Sequence, residues 1–156
     1  MIARWEQGRA DIDELLAHQR LDRVAASREL ADAMLGQAEL HLDSARLLSA
    51  TDAPGAFQLA YDAARKSLAA ILANQGLRAK GAGAHATLYQ AARAQLHPPL
   101  GPAIDAFDWM RRLRNTTEYP DLDKPIANVA DVEEAIPAAQ GIIGTARRVL
   151  DQMPVY

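Results

Sequence analysis

Apolar residues recur three or four positions apart along nearly the whole chain, and that period restricts it to helices. Strand-like alternation is missing, and abundant alanine favours helix at surface and interface positions alike. The fold class that follows is all-α, an up-and-down bundle of four to five helices. Apolar residues make up 49% of the chain and charged residues 24%, enough for one sizeable core. The 156 residues fit a single helical domain over 1–156. Within it the bundle covers about 25–150, and 1–24 form an N-terminal extension with a short helix.

Local punctuation sets the helix boundaries. Asp11 and Glu14 read as a capping box that opens a helix to about Gln19. Ser27 is the N-cap of the next, which runs to about Ala50 with Leu30, Met34, Ala38, Leu42, Ala45 and Leu48 on its inner face. A third helix spans Pro54 to Gln75, with Phe57, Tyr61, Ala64, Leu68 and Leu72 as its stripe and Gly76 as its stop. Past Lys80 to Gly83, a shorter helix from His85 to Leu96 ends before Pro98 and Pro99. One helix then spans Pro102 to Glu118, stopped by Pro120. Asp131 and Glu134 read as a second capping box. In the last helix Val132, Ile136, Ala139, Ile143, Ala146, Leu150 and Met153 form a seam for other helices, a dimer partner included. Pro137 should bend this helix or delay its start.

Several function classes drop out. With no cysteine there are no disulfides or thiolate metal sites. His18, His41, His85 and His97 lack metal-ligand spacing, so neither metal nor other cofactor is expected. The first residues lack the apolar core of a secretion signal, and no stretch approaches the roughly 18 apolar residues of a membrane span. The expected location is the cytoplasm, away from membranes. A net charge of −3 and a pI of about 5.8 exclude coating nucleic acid through bulk charge. Aromatics at 5% argue against a stacking platform, so any RNA contact needs a local basic patch.

Arg111, Arg112 and Arg114 supply such a patch. On a helical wheel Phe107, Met110, Leu113 and Thr117 define the buried stripe, and of the three arginines Arg114 alone falls within it. A guanidinium facing a core must have a partner, and Glu118 lies one turn on. Two readings stand side by side. Arg114 and Glu118 form a structural ion pair that ties helices together, or Arg114 lines a cleft or subunit interface and binds a phosphate with Arg111 and Arg112. The run from Gly81 to Ala86 follows a helix rather than a strand, which rejects a dinucleotide loop. His85 reads as a helix cap or packing residue, with a place at the site as its lesser alternative, and His41 and His97 read as surface or helix-end residues.

Arg114-Asn115 late in a helix, a polar residue five positions after the arginine, and the run Leu59-Ala60-Tyr61-Asp62-Ala63-Ala64-Arg65-Lys66 resemble the HEPN superfamily. Asn74-Gln75-Gly76-Leu77-Arg78 followed by His85 is similar to bacterial HEPN domains, and the resemblance covers roughly 25–150. It implies a homodimeric helical bundle that binds RNA or a nucleotide phosphate in a cleft lined by Arg114, Asn115 and Tyr119. The activity implied is that of a weak or degenerate metal-independent endoribonuclease of a toxin–antitoxin or defence system, partnered by a nucleotidyltransferase-type antitoxin. The dimer interface would use the last helix or the one bearing Arg114. The family motif is an arginine, a short spacer and a histidine, and aligning it on Arg114-Asn115 puts Tyr119 at the histidine. Histidine titrates near about 6.5 and a tyrosine near about 10, so this departure weakens the implied catalysis. His85 is then the first substitute for Tyr119 as base. The alternative is a non-catalytic helical dimerisation or protein-interaction module.

Overall fold

The computed structural model describes residues 5–156; Met1 to Arg4, where the secretion-signal reading begins, lie outside them. Its helices are α1 (Arg9–Ala17), α2 (Arg28–Leu48), α3 (Ala53–Gln75), α4 (Ala84–Leu96), α5 (Gly101–Ile104), α6 (Ala106–Glu118) and α7 (Val129–Leu150). The chain is an all-α bundle centred on α3, which packs against α2, α7, α6 and α4. Alanines at 56, 60, 63, 64 and 70 are fully buried and let these neighbours approach closely, while Phe57, Tyr61 and Leu68 fill the space between them. Among the described residues no helix is long and apolar enough to cross a membrane.

The caps explain most boundaries. Ser27 Oγ accepts from the Leu30 N–H at 3.0 Å, and Asp52 Oδ1 accepts from the Gly55 N–H at 3.0 Å, with Pro54 in the first turn of α3. Gly76 closes α3 at φ 81°, and a Cβ there would lie 2.8 Å from the Val24 carbonyl oxygen.

Elsewhere the structure departs from the sequence reading. α1 begins at Arg9 behind Gly8, not behind Asp11; Gly8 has a φ of 74° and passes so close to α4 that a Cβ there would run into the Ala94 carbonyl. Asp11 sits instead in the first turn, where its charge favours the helix dipole. α7 starts at Val129: Asn128 is its N-cap, and Asp131 returns the capping-box bond from N3. Pro137 neither delays nor ends α7, which starts at Val129 and runs through this exposed position to Leu150. The expected helix from Pro102 divides into α5 and α6 at Asp105, whose carboxylate accepts from Tyr89 Oη at 2.7 Å and Arg93 Nε at 2.9 Å.

The seam on α7 is used within the chain. Val132, Ala139, Ile143, Ala146, Leu150 and Met153 are all buried, so that face is not open to a partner. Two three-residue strands went unread, β1 (Leu21–Arg23) and β2 (Leu77–Ala79), paired antiparallel with Leu21 opposite Ala79 and Arg23 opposite Leu77. Each is too short to show alternation.

Candidate functional site

Tyr61, Asp62 and Arg65 lie within about one turn of α3, His85 opens α4, and Arg114 comes from the last third of α6. Together these five side chains line an open cleft of about 420 Å³. Tyr61 is the keystone. Its ring stacks on Phe107 with centroids 5.2 Å apart, the Arg114 guanidinium carbon sits over it at 5.7 Å, and its hydroxyl lies 2.8 Å from Nδ1 of His85.

Burial pushes the Tyr61 hydroxyl up to about 12, with Arg114 the strongest opposing charge, so it stays protonated near neutrality. His85 is held below its ordinary value, first by burial and then by the charges of Arg65 and Arg114, against the pull of Asp62 and Glu118. The imidazole is therefore neutral at pH 7. Either tautomer suits the phenol. Tyr61 Oη–H can donate to Nδ1, or Nδ1–H can donate to Oη and leave the Nε2 lone pair free to take a proton.

Arg114 pairs with Glu118, as the spacing predicts. The pair is only partly dry: the paired Glu118 Oε2 is buried, but the two side chains are 22% and 33% exposed and Arg114 remains a wall of the cleft. Its Nη1 also donates a long hydrogen bond, 3.5 Å, to Asn115 Oδ1. Arg65 is held by Asp62, with Nε and Nη2 at 2.8 and 2.6 Å from Oδ1. Burial would raise the Asp62 carboxyl, but hydrogen bonds and charge from Arg65 and Lys66 outweigh it and keep the group ionised. Lys66 Nζ bridges Asp62 and His41, 3.3 Å from Asp62 Oδ2 and 2.7 Å from His41 Nε2. His41 is thus part of a half-buried network and not a free surface residue. Burial, then Lys66, holds it below its ordinary value.

The arginine patch is divided. Arg111 and Arg112 share Asp108, at 3.1 and 2.5 Å. Arg112 is 73% exposed, whereas Arg111 is only 24% exposed, about as buried as Arg114. The wheel puts Arg111 outside the stripe, yet its side chain is largely covered and faces the start of α4. Arg111 and Asn115 line a second hollow of about 350 Å³ with Gly81, Gly83 and His85. Hence Arg111, Arg114 and Asn115 are brought to the two sides of His85. Arg112 and Tyr119 line neither opening. Tyr119 is the C-cap of α6, 70% exposed, with its N–H bonded to the Asn115 carbonyl at 3.1 Å.

The sequence reading missed His85, Tyr61, Asp62 and Arg65 as a group. One signal was available: a tyrosine on a buried stripe needs a partner for its hydroxyl. Among the described residues no group of three or more His, Asp or Glu is arranged to hold a metal ion.

Fold and site define a helical-bundle domain with an arginine- and histidine-lined cleft between three of its helices. The family model described as the HEPN domain matches residues 31–149, and the chain belongs to that family. No curated protein and no solved structure matches it.

Proposed function

We propose that this HEPN-domain protein binds a phosphate of RNA or of a nucleotide in the cleft between α3, the start of α4 and α6. The observation that carries the reading is that Arg65, Arg114 and His85, from three separate helices, line one open cleft. Arg114 offers a planar fork suited to phosphate oxygens, pre-oriented by the Tyr61 ring. An incoming phosphate competes with Glu118 for that fork, so net affinity rests on what it gains at Arg65 and His85. Asn115 and Arg111 extend the site on the other side of His85, and Arg112 adds only long-range charge.

Metal-independent cleavage is the enzymatic form of this reading. His85 Nε2 takes the proton of a ribose 2′-hydroxyl, the 2′-oxygen bonds to phosphorus, and the 5′-oxygen leaves with a proton from water. Arg114 stabilises the added negative charge. Competition from Glu118 makes such an enzyme weak. The setting we propose is a cytoplasmic toxin–antitoxin or defence system, with a homodimer as the working form and a nucleotidyltransferase-type antitoxin as partner. The exposed hydroxyl of Tyr119 is accessible to such a partner. The Arg114–Glu118 pair favours a second reading, a non-catalytic interaction module in which the arginine is structural.

Fluorescence anisotropy with a labelled single-stranded oligoribonucleotide separates the two. Arg114→Gln and Arg65→Gln should weaken binding and each flatten the log–log salt slope by about 0.7, while Lys124→Gln should change binding little. Absent binding by the wild type, or equal slopes in all variants, would leave the interaction module standing.

A further inference from the structure

The stripe read on α2 is not fully covered by the chain. Ala38, Leu42 and Ala45 are buried, yet Leu30 is 48% exposed and Met34 only half-buried. Both line a groove of about 520 Å³, whose other walls include Leu72 of α3, Leu77 of β2 and Leu88 of α4. Among the described residues no carboxylate lines it; its charged or titratable side chains are Arg65, Arg78 and His85. Arg65 and His85 also line the polar cleft, so the two openings share a wall.

We propose that this groove binds the hydrocarbon chain of a free single-chain anionic amphiphile of the fatty-acid class, with its carboxylate on Arg65. The aliphatic walls fit a chain of methylenes, and the only lining side chains able to hydrogen-bond are Arg65, Arg78 and His85. A nucleobase in the same place would leave its polar edges unpaired. Charge selects the head group: among the described residues no acid lines the groove, and its arginines are only partly engaged by carboxylates behind it, Arg65 by Asp62 at 2.6 Å and Arg78 by Asp22 at 3.8 Å. Arg65 can serve it: Nε and Nη2 are bound to Asp62, and Nη1 makes no hydrogen bond to any described residue. An occupant would also cover the apolar surface of Leu30 and Met34 that the fold leaves in water. This ligand is distinct from the phosphate proposed for the neighbouring cleft; the two share Arg65 and His85, while Leu30, Met34, Leu72, Leu77 and Leu88 line the groove and not the cleft.

The test is isothermal titration of the full chain with decanoate, decanol and adenosine monophosphate. Decanoate should bind near one to one with a negative heat-capacity change, the mark of apolar burial. Decanol should bind about tenfold more weakly, and Arg65→Gln should bring decanoate down to the same level. Leu30→Asp sets a carboxylate at the exposed mouth and should weaken decanoate about tenfold or more, with oligoribonucleotide binding unchanged. Met34→Trp, its fold checked by circular dichroism, should fill the groove and have the same effect. The proposal is overturned if decanoate does not bind, or if decanoate and decanol bind alike. It is equally overturned if Leu30→Asp abolishes adenosine monophosphate binding, which gives the groove to a base. Dissociation of a dimer by Leu30→Asp in light scattering would give it to a second copy.

Discussion

The phenol of Tyr61 and the imidazole of His85 meet at 2.8 Å, although 24 positions separate them and they belong to different helices. The contact joins a core aromatic to the one imidazole of the cleft. It makes the protonation state of His85 a property of the fold as well as of the site.

Stability should therefore depend on pH above the carboxylate range. Burial and the charges of Arg65 and Arg114 lower His85, so the unfolded chain binds more protons between the folded value and about 6.5. This contribution is fully present above about 6.5 and is lost as pH falls through the folded value. His41, lowered by burial and Lys66, acts in the same direction. Asp62 and Glu118 oppose the shift at His85 without reversing it. Tm measured from about pH 7.5 down to about 5 should fall, and His85→Gln should flatten part of the fall. Identical profiles would show that His85 is not held neutral.

The three arginines should differ in thermal denaturation. Arg112→Ala removes an exposed side chain and should cost less than about 0.5 kcal/mol. Arg114→Ala leaves Glu118 without its cation and uncovers Tyr61, at a cost of about 1–2 kcal/mol, below the fully buried case because both partners reach water. Arg111→Ala should fall with Arg114 and not with Arg112, since its side chain is equally covered. Equal Tm for Arg112→Ala and Arg114→Ala would refute the assignment.

Any EDTA-resistant RNA cleavage should follow His85 and not Tyr119. His85→Gln removes the cleft imidazole and should abolish cleavage, whereas Tyr119→Phe alters an exposed helix end and should leave the rate unchanged. Gel analysis of RNA incubated with each purified variant measures this. Loss of activity in Tyr119→Phe would return the catalytic role to the position that the family motif marks.

Gly76→Ala should destabilise the chain more than most surface changes. A φ of 81° costs an L-residue about 1–2 kcal/mol, and the new Cβ would press on the Val24 carbonyl at 2.8 Å. A Tm fall of roughly 4 °C or more in calorimetry is expected. No change would mean that α3 ends differently in solution.

The apolar period was enough to read the bundle, because helix stripes and caps are local: Ser27, Gly76 and Pro120 each act within one turn. The β1–β2 ladder was not legible, since pairing 54–58 positions apart leaves no periodic trace in three residues. The break at Asp105 comes from Tyr89 and Arg93 on another helix, which no window along α6 contains. The site divides the same way. Arg114 and Glu118 are one turn apart and could be paired from sequence, while Arg65, Tyr61 and His85 join them only through the packing of α3, α4 and α6.

Arg20 reaches across to α4, where Nη2 and Nε donate to Thr87 Oγ1 at 2.8 and 3.1 Å, and its carbonyl accepts from the Lys80 N–H at 3.1 Å. With the pairing of Leu21 and Ala79, these bonds clasp the turn that delivers His85. The match to the family begins only at residue 31. The boundary of likeness thus falls inside the cooperative unit. A fragment cut to the family limits would keep Arg65 and Arg114 but lose the brace that sets the angle of the imidazole, and an inert fragment of that kind would report on its missing brace and not on the chemistry of the cleft.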